Sequence, residues 1–156
     1  MTPVWHLAQL NIGRIRAPMN DPIMAEFAAA LDEINALAEA TPGFVWRLKE
    51  DNGNATSITA YPDPRVLVNM SVWTDLSSLQ GYVYRSAHGK FFARRQAWFE
   101  KHEGAALVMW WIPSGHVPTV DEAKARLALL DTNGPSAEAF TFRQSFPPPS
   151  AAKAAS

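Results

Sequence analysis

Strand-like alternation of side chains is interrupted twice in this sequence by a stretch with helical spacing, and that order restricts the fold more than composition does. Val4 to Ile12 places Val4, His6, Ala8, Leu10 and Ile12 on one face, and Trp5, Leu7, Gln9 and Asn11 on the other. Val66 to Trp73 sets Leu67, Asn69, Ser71 and Trp73 opposite Val66, Val68, Met70 and Val72. Ala105 to Ile112 is almost continuously apolar, as expected of a strand covered on both faces. Phe44 to Lys49 reads as a further strand. Asp51-Asn52-Gly53-Asn54 then supplies hairpin-turn chemistry, and a short arm from Ser57 to Tyr61 ends at Pro62-Asp63-Pro64.

Between the first two strands, Asn20 or Asp21 caps a helix with Pro22 in its first turn. Ile23, Phe27, Leu31, Ile34 and Ala38 recur along it at helical steps until Thr41-Pro42-Gly43. Thr74 or Asp75 caps a second helix in which Leu76, Leu79 and Val83 lead towards His88, and Gly89 breaks or kinks it before Phe91 to Lys101. Thr119 and Glu122 form a capping box for a third helix, whose inward residues are Val120, Ala123, Leu127 and Leu130 and whose stop is Asn133-Gly134. Phe140 to Arg143 alternates like a short closing strand. The expected organisation is one domain over residues 1–146, with a Pro/Ala/Ser tail over 147–156 that buries too little to order itself.

The order strand, helix, strand, strand, helix, strand is the split pattern of a ferredoxin-like α+β fold, with an added C-terminal helix. Two helices cover one face of a four-stranded antiparallel sheet. Large apolar residues on both faces of the third and fourth strands require a cover on the other side as well, and a second copy of the chain is the expected one, giving a homodimer.

Charge and composition narrow the partners. Fourteen basic and fifteen acidic residues leave no excess for a phosphate backbone or an anionic membrane, so neither nucleic acid nor a membrane is expected. No apolar run approaches the roughly 20 residues of a membrane helix, and the expectation is a cytoplasmic protein. The absence of Cys removes disulfides, thiolate metal sites and Cys nucleophiles, and the four His are too scattered for a zinc motif.

Several motifs together resemble one family. They are His6-Leu7-Ala8-Gln9-Leu10-Asn11, Pro42-Gly43-Phe44-Val45-Trp46, Asn69-Met70-Ser71-Val72-Trp73, Tyr84-Arg85-Ser86-Ala87-His88 and Trp110-Trp111-Ile112-Pro113 followed by Gly115-His116. Over about residues 4 to 143 the chain is similar to domain of unknown function family 3291. That resemblance implies the dimeric α+β barrel superfamily, similar to antibiotic-biosynthesis monooxygenases and haem-degrading monooxygenases. It also implies a pocket between each sheet and its helices. Fold carries over from such a resemblance more safely than chemistry.

Polar residues interleaved with Trp describe a ligand pocket, and Asn11, Trp46, Asn69, Ser71, Trp73 and Trp111 are the expected substrate-binding residues for a hydrophobic small molecule. The bland alternative is an ordinary core in which Asn69 and Ser71 bond one another. His88 is the expected general base, because imidazole titrates near neutrality and helical steps put Tyr84, His88 and Arg95 on about one face. Arg95 would hold an enolate or carboxylate, with Tyr84 and Asn69 as donors to developing charge. The alternative for His88 is a helix-ending histidine without chemistry. The expected function is cofactor-independent oxygenation, cyclisation or isomerisation of a hydrophobic secondary metabolite. Haem binding, with Asn11 and His88 as counterparts of the haem-degrading residues, and a non-catalytic ligand-binding dimer are the alternatives.

Overall fold

The computed structural model of the chain describes residues 4–18, 20–49, 61–63, 65–87, 98–100 and 105–149. In chain order these form β1 (Trp5–Arg14), α1 (Ala25–Ala40), β2 (Phe44–Arg47), β3 (Val66–Trp73), α2 (Leu76–Ala87), β4 (Leu107–Pro113) and α3 (Val120–Asn133). The strands make one four-stranded sheet in the order β2-β3-β1-β4, every neighbour antiparallel. With a helix in each crossover, this is the ferredoxin-like α+β arrangement. The hairpin at Asp51 to Asn54, most of the arm after it, and the stretch from His88 to Ala97 lie outside the described residues.

Local chemistry sets the helix ends. The Asp21 carboxylate accepts from the Ile23 backbone N–H at 3.0 Å, and the turn it caps, Pro22–Met24, is a 3-10 turn that leads into α1. Ile23 itself is 54% exposed, so the inward stripe begins at Met24 and Phe27. The helix stops where the Thr41 hydroxyl donates back to the Leu37 carbonyl at 2.6 Å and Gly43 takes φ +92. A side chain at Gly43 would be strained at that φ and would run into Ser78, so the turn into β2 needs glycine twice over. Thr119 caps α3 by accepting from the Glu122 N–H at 3.1 Å. The second half of the expected capping box is replaced, because the Glu122 carboxylate is taken by the Trp110 indole N–H at 2.9 Å and by His116 at 2.7 Å.

The two faces of the sheet are covered differently. Leu7, Trp73 and Met109 pack with Ala38 of α1, Leu79 of α2, and Phe140. On the far face Ala8, Leu10, Ile12, Val68, Met70, Val72, Val108, Trp110 and Ile112 form a separate core with Ala123, Leu127 and Leu130 of α3. Each fully buried side chain of this size contributes roughly 1.5–3 kcal/mol relative to exposure. Leu10 and Met70 are 1% exposed and Trp110 0% in the single chain, so the burial expected from a second copy is supplied within the chain. The expected closing strand at Phe140 shrinks to a single bridge on the outer edge of β4, where Phe140 and Met109 exchange backbone bonds of 2.8 and 2.9 Å.

Candidate functional site

Strand register turns the helix-facing side of the sheet into three cross-strand rows. Phe44, Trp73, Leu7 and Trp111 make an aromatic row; Arg47, Ser71, Gln9 and Met109 make the next; Asn69, Asn11 and Leu107 make the third. The Leu48 N–H donates to the Met70 carbonyl at 2.9 Å, which extends the β2–β3 ladder one step and brings Lys49 alongside Asn69.

Gln9 is the centre of a side-chain network across β1 and β3. Its Nε2 donates to Asn69 Oδ1 at 2.8 Å and to Ser71 Oγ at 2.7 Å, and its Oε1 accepts from Asn11 Nδ2 at 3.0 Å. Asn11 Nδ2 also reaches Asn69 Oδ1 at 3.2 Å, and Trp73 Nε1 donates to Ser71 Oγ at 2.8 Å. Gln9 and Ser71 are buried, at 3% and 5% exposed, while Asn69 is exposed. The network therefore runs from a dry end at Trp73 to an open end at the two Asn side chains. At that open end Asn69 Nδ2 and Asn11 Oδ1 have no partner among the described residues. Turning all three amides over exchanges donor for acceptor but keeps every bond, with the Ser71 hydroxyl then donating to Gln9. In either state one donor and one acceptor face outward.

The dry end is built to hold still. Trp73 is wholly buried, stacked on Tyr82 of α2 at 5.2 Å and 26°, and met edge-on by Phe44 at 5.5 Å. The Tyr82 hydroxyl donates to the Ile34 carbonyl at 3.4 Å, and burial pushes its pKa up to about 12 although the Arg47 charge pulls the other way. Trp111 donates from Nε1 to the Phe146 carbonyl at 2.9 Å, tying the C-terminal segment to the aromatic row.

Of the residues expected from sequence, Asn11, Asn69, Ser71 and Trp73 come together, and Trp111 shares their face at the aromatic end. Trp46 does not. A register shift between Phe44 and Trp46 sets Trp46 opposite Val72, on the far face, where it packs against the α3-covered core. Tyr84 is 66% exposed, because two residues along a helix turn about 200° and Tyr82 is the inward one. His88 and Arg95 lie outside the described residues. The residue missed was Arg47, whose side chain is 9% exposed on the site face and whose Nε lies 3.3 Å from Glu39 of α1.

Elsewhere, Ile12, Tyr61, Ala105, Lys124, Leu127, Ala128 and Asp131 line an open groove of about 300 Å³ on the far face. Among the described residues no group of His, Asp and Glu is placed to hold a metal ion, and no helix is long and apolar enough to cross a membrane.

The sequence profile of the domain of unknown function DUF3291 matches residues 6–156. The chain belongs to this family. No curated protein sequence matches this DUF3291 member. Among solved structures it is similar to SnoaB, a cofactor-independent oxygenase from Streptomyces nogalater, at 19% identity and a TM-score of 0.40, covering 72% of this chain and 95% of SnoaB. It is also similar to NE2512, a protein of unknown function from Nitrosomonas europaea, at 14% identity and a TM-score of 0.42, covering 74% of this chain and 95% of that one. At these scores neither likeness bears on the roles of individual residues in the DUF3291 chain, which rest on the geometry above.

Proposed function

We propose that this DUF3291 chain is a small-molecule enzyme that oxygenates a hydrophobic, electron-rich substrate without a cofactor, on the helix-facing side of its sheet. The observation that carries this reading is the pair of amide ends, Asn69 Nδ2 and Asn11 Oδ1, at the open end of a network anchored in a dry aromatic row. A substrate with a C–H made acidic by conjugation to a carbonyl would present its oxygen to that pair. Loss of the proton leaves an enolate, and a fixed amide donor stabilises the charge as it develops. Dioxygen then takes up the electrons, one oxygen atom entering the substrate as a new carbonyl and the other leaving as water with the two hydrogens of the oxidised methylene.

His88 is the proposed general base. It follows α2 directly in sequence, and an imidazole is the side chain suited to proton abstraction near neutral pH. Tyr82 has no part in proton transfer at neutral pH, since its phenol stays protonated.

An oxygen electrode with anthrone, whose methylene is acidic and flanked by rings, tests the reading. Uptake should match anthrone loss one to one with anthraquinone as product. Asn69→Ala should lower kcat by roughly 10²-fold, as for loss of an oxyanion donor, and His88→Ala by roughly 10²–10⁴-fold, as for loss of a general base. Rates in both variants equal to wild type would sink the assignment. Binding of anthrone by wild type without turnover would leave a ligand-binding protein.

A further inference from the structure

We infer that Asn11 and Asn69 together read a paired edge on the substrate, a carbonyl with an N–H beside it, so that the ligand class is an aromatic lactam rather than a plain ketone. The inference rests on the proposed site and narrows the substrate it takes.

The inner atom of each asparagine is already engaged. Asn69 Oδ1 accepts twice, from Gln9 Nε2 at 2.8 Å and from Asn11 Nδ2 at 3.2 Å. Asn11 Nδ2 spends both of its hydrogens, on Gln9 Oε1 at 3.0 Å and on Asn69 Oδ1. Neither side chain can turn alone. Turning Asn69 would set its Nδ2 against the N–H groups of Gln9 and Asn11, and turning Asn11 would set its Oδ1 against Gln9 Oε1 and Asn69 Oδ1. Turning Gln9 alone would oppose oxygen to oxygen at Asn69 and nitrogen to nitrogen at Asn11. The three amides turn together or not at all, and both states show the ligand one donor and one acceptor.

Register puts these two outer atoms side by side, because Asn11 and Asn69 are direct partners across β1 and β3. Such partners stand about 4.5–5.5 Å apart at Cβ, so one planar group can meet both. A ketone meets the donor only and leaves the acceptor covered and unpaired. A lactam meets both, and after the concerted turn it binds the other way round. A site that is built to pair an N–H rejects the analogue lacking it, since its own acceptor is then stranded.

The same edge suits the proposed chemistry. In oxindole the carbonyl lies between a ring N–H and an acidic methylene. Loss of a methylene proton places charge on the oxygen that faces the amide donor, while the N–H holds the ring on the acceptor. Dioxygen then takes up the electrons, one oxygen atom becoming the new carbonyl of isatin and the other leaving as water with the two methylene hydrogens.

The probes are oxindole, 2-indanone, in which a methylene replaces the N–H at nearly the same size, and N-methyloxindole, in which the N–H is blocked. Binding is followed by titration calorimetry and by the side-chain amide signals of Asn11 and Asn69 in proton–nitrogen NMR. Wild type should bind oxindole about fivefold to tenfold tighter than either analogue, with shifts at both asparagines. A chain carrying Asn11→Ala and Asn69→Ala together should bind oxindole and 2-indanone alike. The wild-type comparison needs no variant, so a double variant that fails to fold does not remove the test. Equal binding of oxindole and 2-indanone by wild type, or a preference that survives in the double variant, overturns the lactam class. If 2-indanone then shifts the asparagine amides as strongly as oxindole does, the proposed site itself stands. If no probe shifts them, the site falls with the inference. Oxindole bound with the expected preference but without oxygen uptake upholds the ligand class and removes the oxygenase reading.

Discussion

Replacing Ser71 with Ala tests whether the buried end of the amide network holds the site together. Ser71 Oγ accepts from Trp73 Nε1 at 2.8 Å and from Gln9 Nε2 at 2.7 Å, and all three residues are at most 5% exposed. Removing the hydroxyl strands the indole N–H altogether and leaves Gln9 Nε2 with its bond to Asn69 alone. A stranded buried donor costs about 1–3 kcal/mol, so the expected loss is about 2–4 kcal/mol, most of it at Trp73. For a chain of this size that lowers Tm by about 5–12 °C. Urea unfolding should show a lower midpoint with an unchanged slope, since the surface exposed on unfolding is the same. The decisive comparison repeats the substitution in a Trp73→Phe background, where the indole N–H no longer exists. There Ser71→Ala should cost less by about 1 kcal/mol or more. A loss under about 0.5 kcal/mol in the single variant, or strict additivity in the pair, would refute the view that Ser71 anchors the network.

Three further outcomes follow from geometry elsewhere in the chain. Burial opposes the charge of Glu122, but hydrogen bonds from His116 and Trp110 outweigh it and hold its carboxyl below the ordinary value. Its stabilising contribution is therefore complete above the unfolded pKa and disappears as pH falls through the lower folded one. Between about pH 5 and pH 3 wild type should lose stability more steeply than Glu122→Gln in pH-dependent urea titrations, and parallel curves would contradict this. Gly43→Ala should cost about 2–4 kcal/mol by thermal melt, combining strain at φ +92 with the collision against Ser78, and a stable variant would mean that the turn relaxes. Tyr82→Phe should leave the pH profile of any turnover unchanged between about pH 6 and 10, because a phenol raised to about 12 is protonated throughout; a lost basic limb would show that Tyr82 titrates.

Much of this arrangement is legible in the sequence. Alternation in Val4–Ile12 and Val66–Trp73 groups Gln9 with Asn11 and Asn69 with Ser71, while the register that sets Asn11 against Asn69 and Gln9 against Ser71 comes from the folded sheet. The stop at Thr41-Pro42-Gly43 and the cap at Thr119 are read from residue type alone. What sequence does not carry is the choice between equivalent positions. Tyr82 and Tyr84 have the same chemistry, and only packing against Trp73 decides which turns inward. Glu122 follows Thr119 at capping-box spacing, yet Trp110 and His116 claim its carboxylate from a strand and a loop that local spacing does not report. The cover for the far face follows the same logic: an apolar face requires burial, and α3 meets the requirement as well as a second copy would.

The irregularity in β2 acts as a reading frame for the edge of the site. Phe44 pairs with Trp73, and Trp46 with Val72, so Val45 is one residue more than a regular ladder holds there. Deleting it would leave Trp46 opposite Val72 and Arg47 opposite Ser71, whereas a regular ladder that kept Val45 would bring the Trp46 indole round to Ser71 and send the Arg47 guanidinium to the far face. A cationic rim would become an aromatic one with no codon for either residue altered. At this edge the bulge at Val45 decides whether a guanidinium or an indole lies beside Ser71, and a comparison of residue types alone would pass over it.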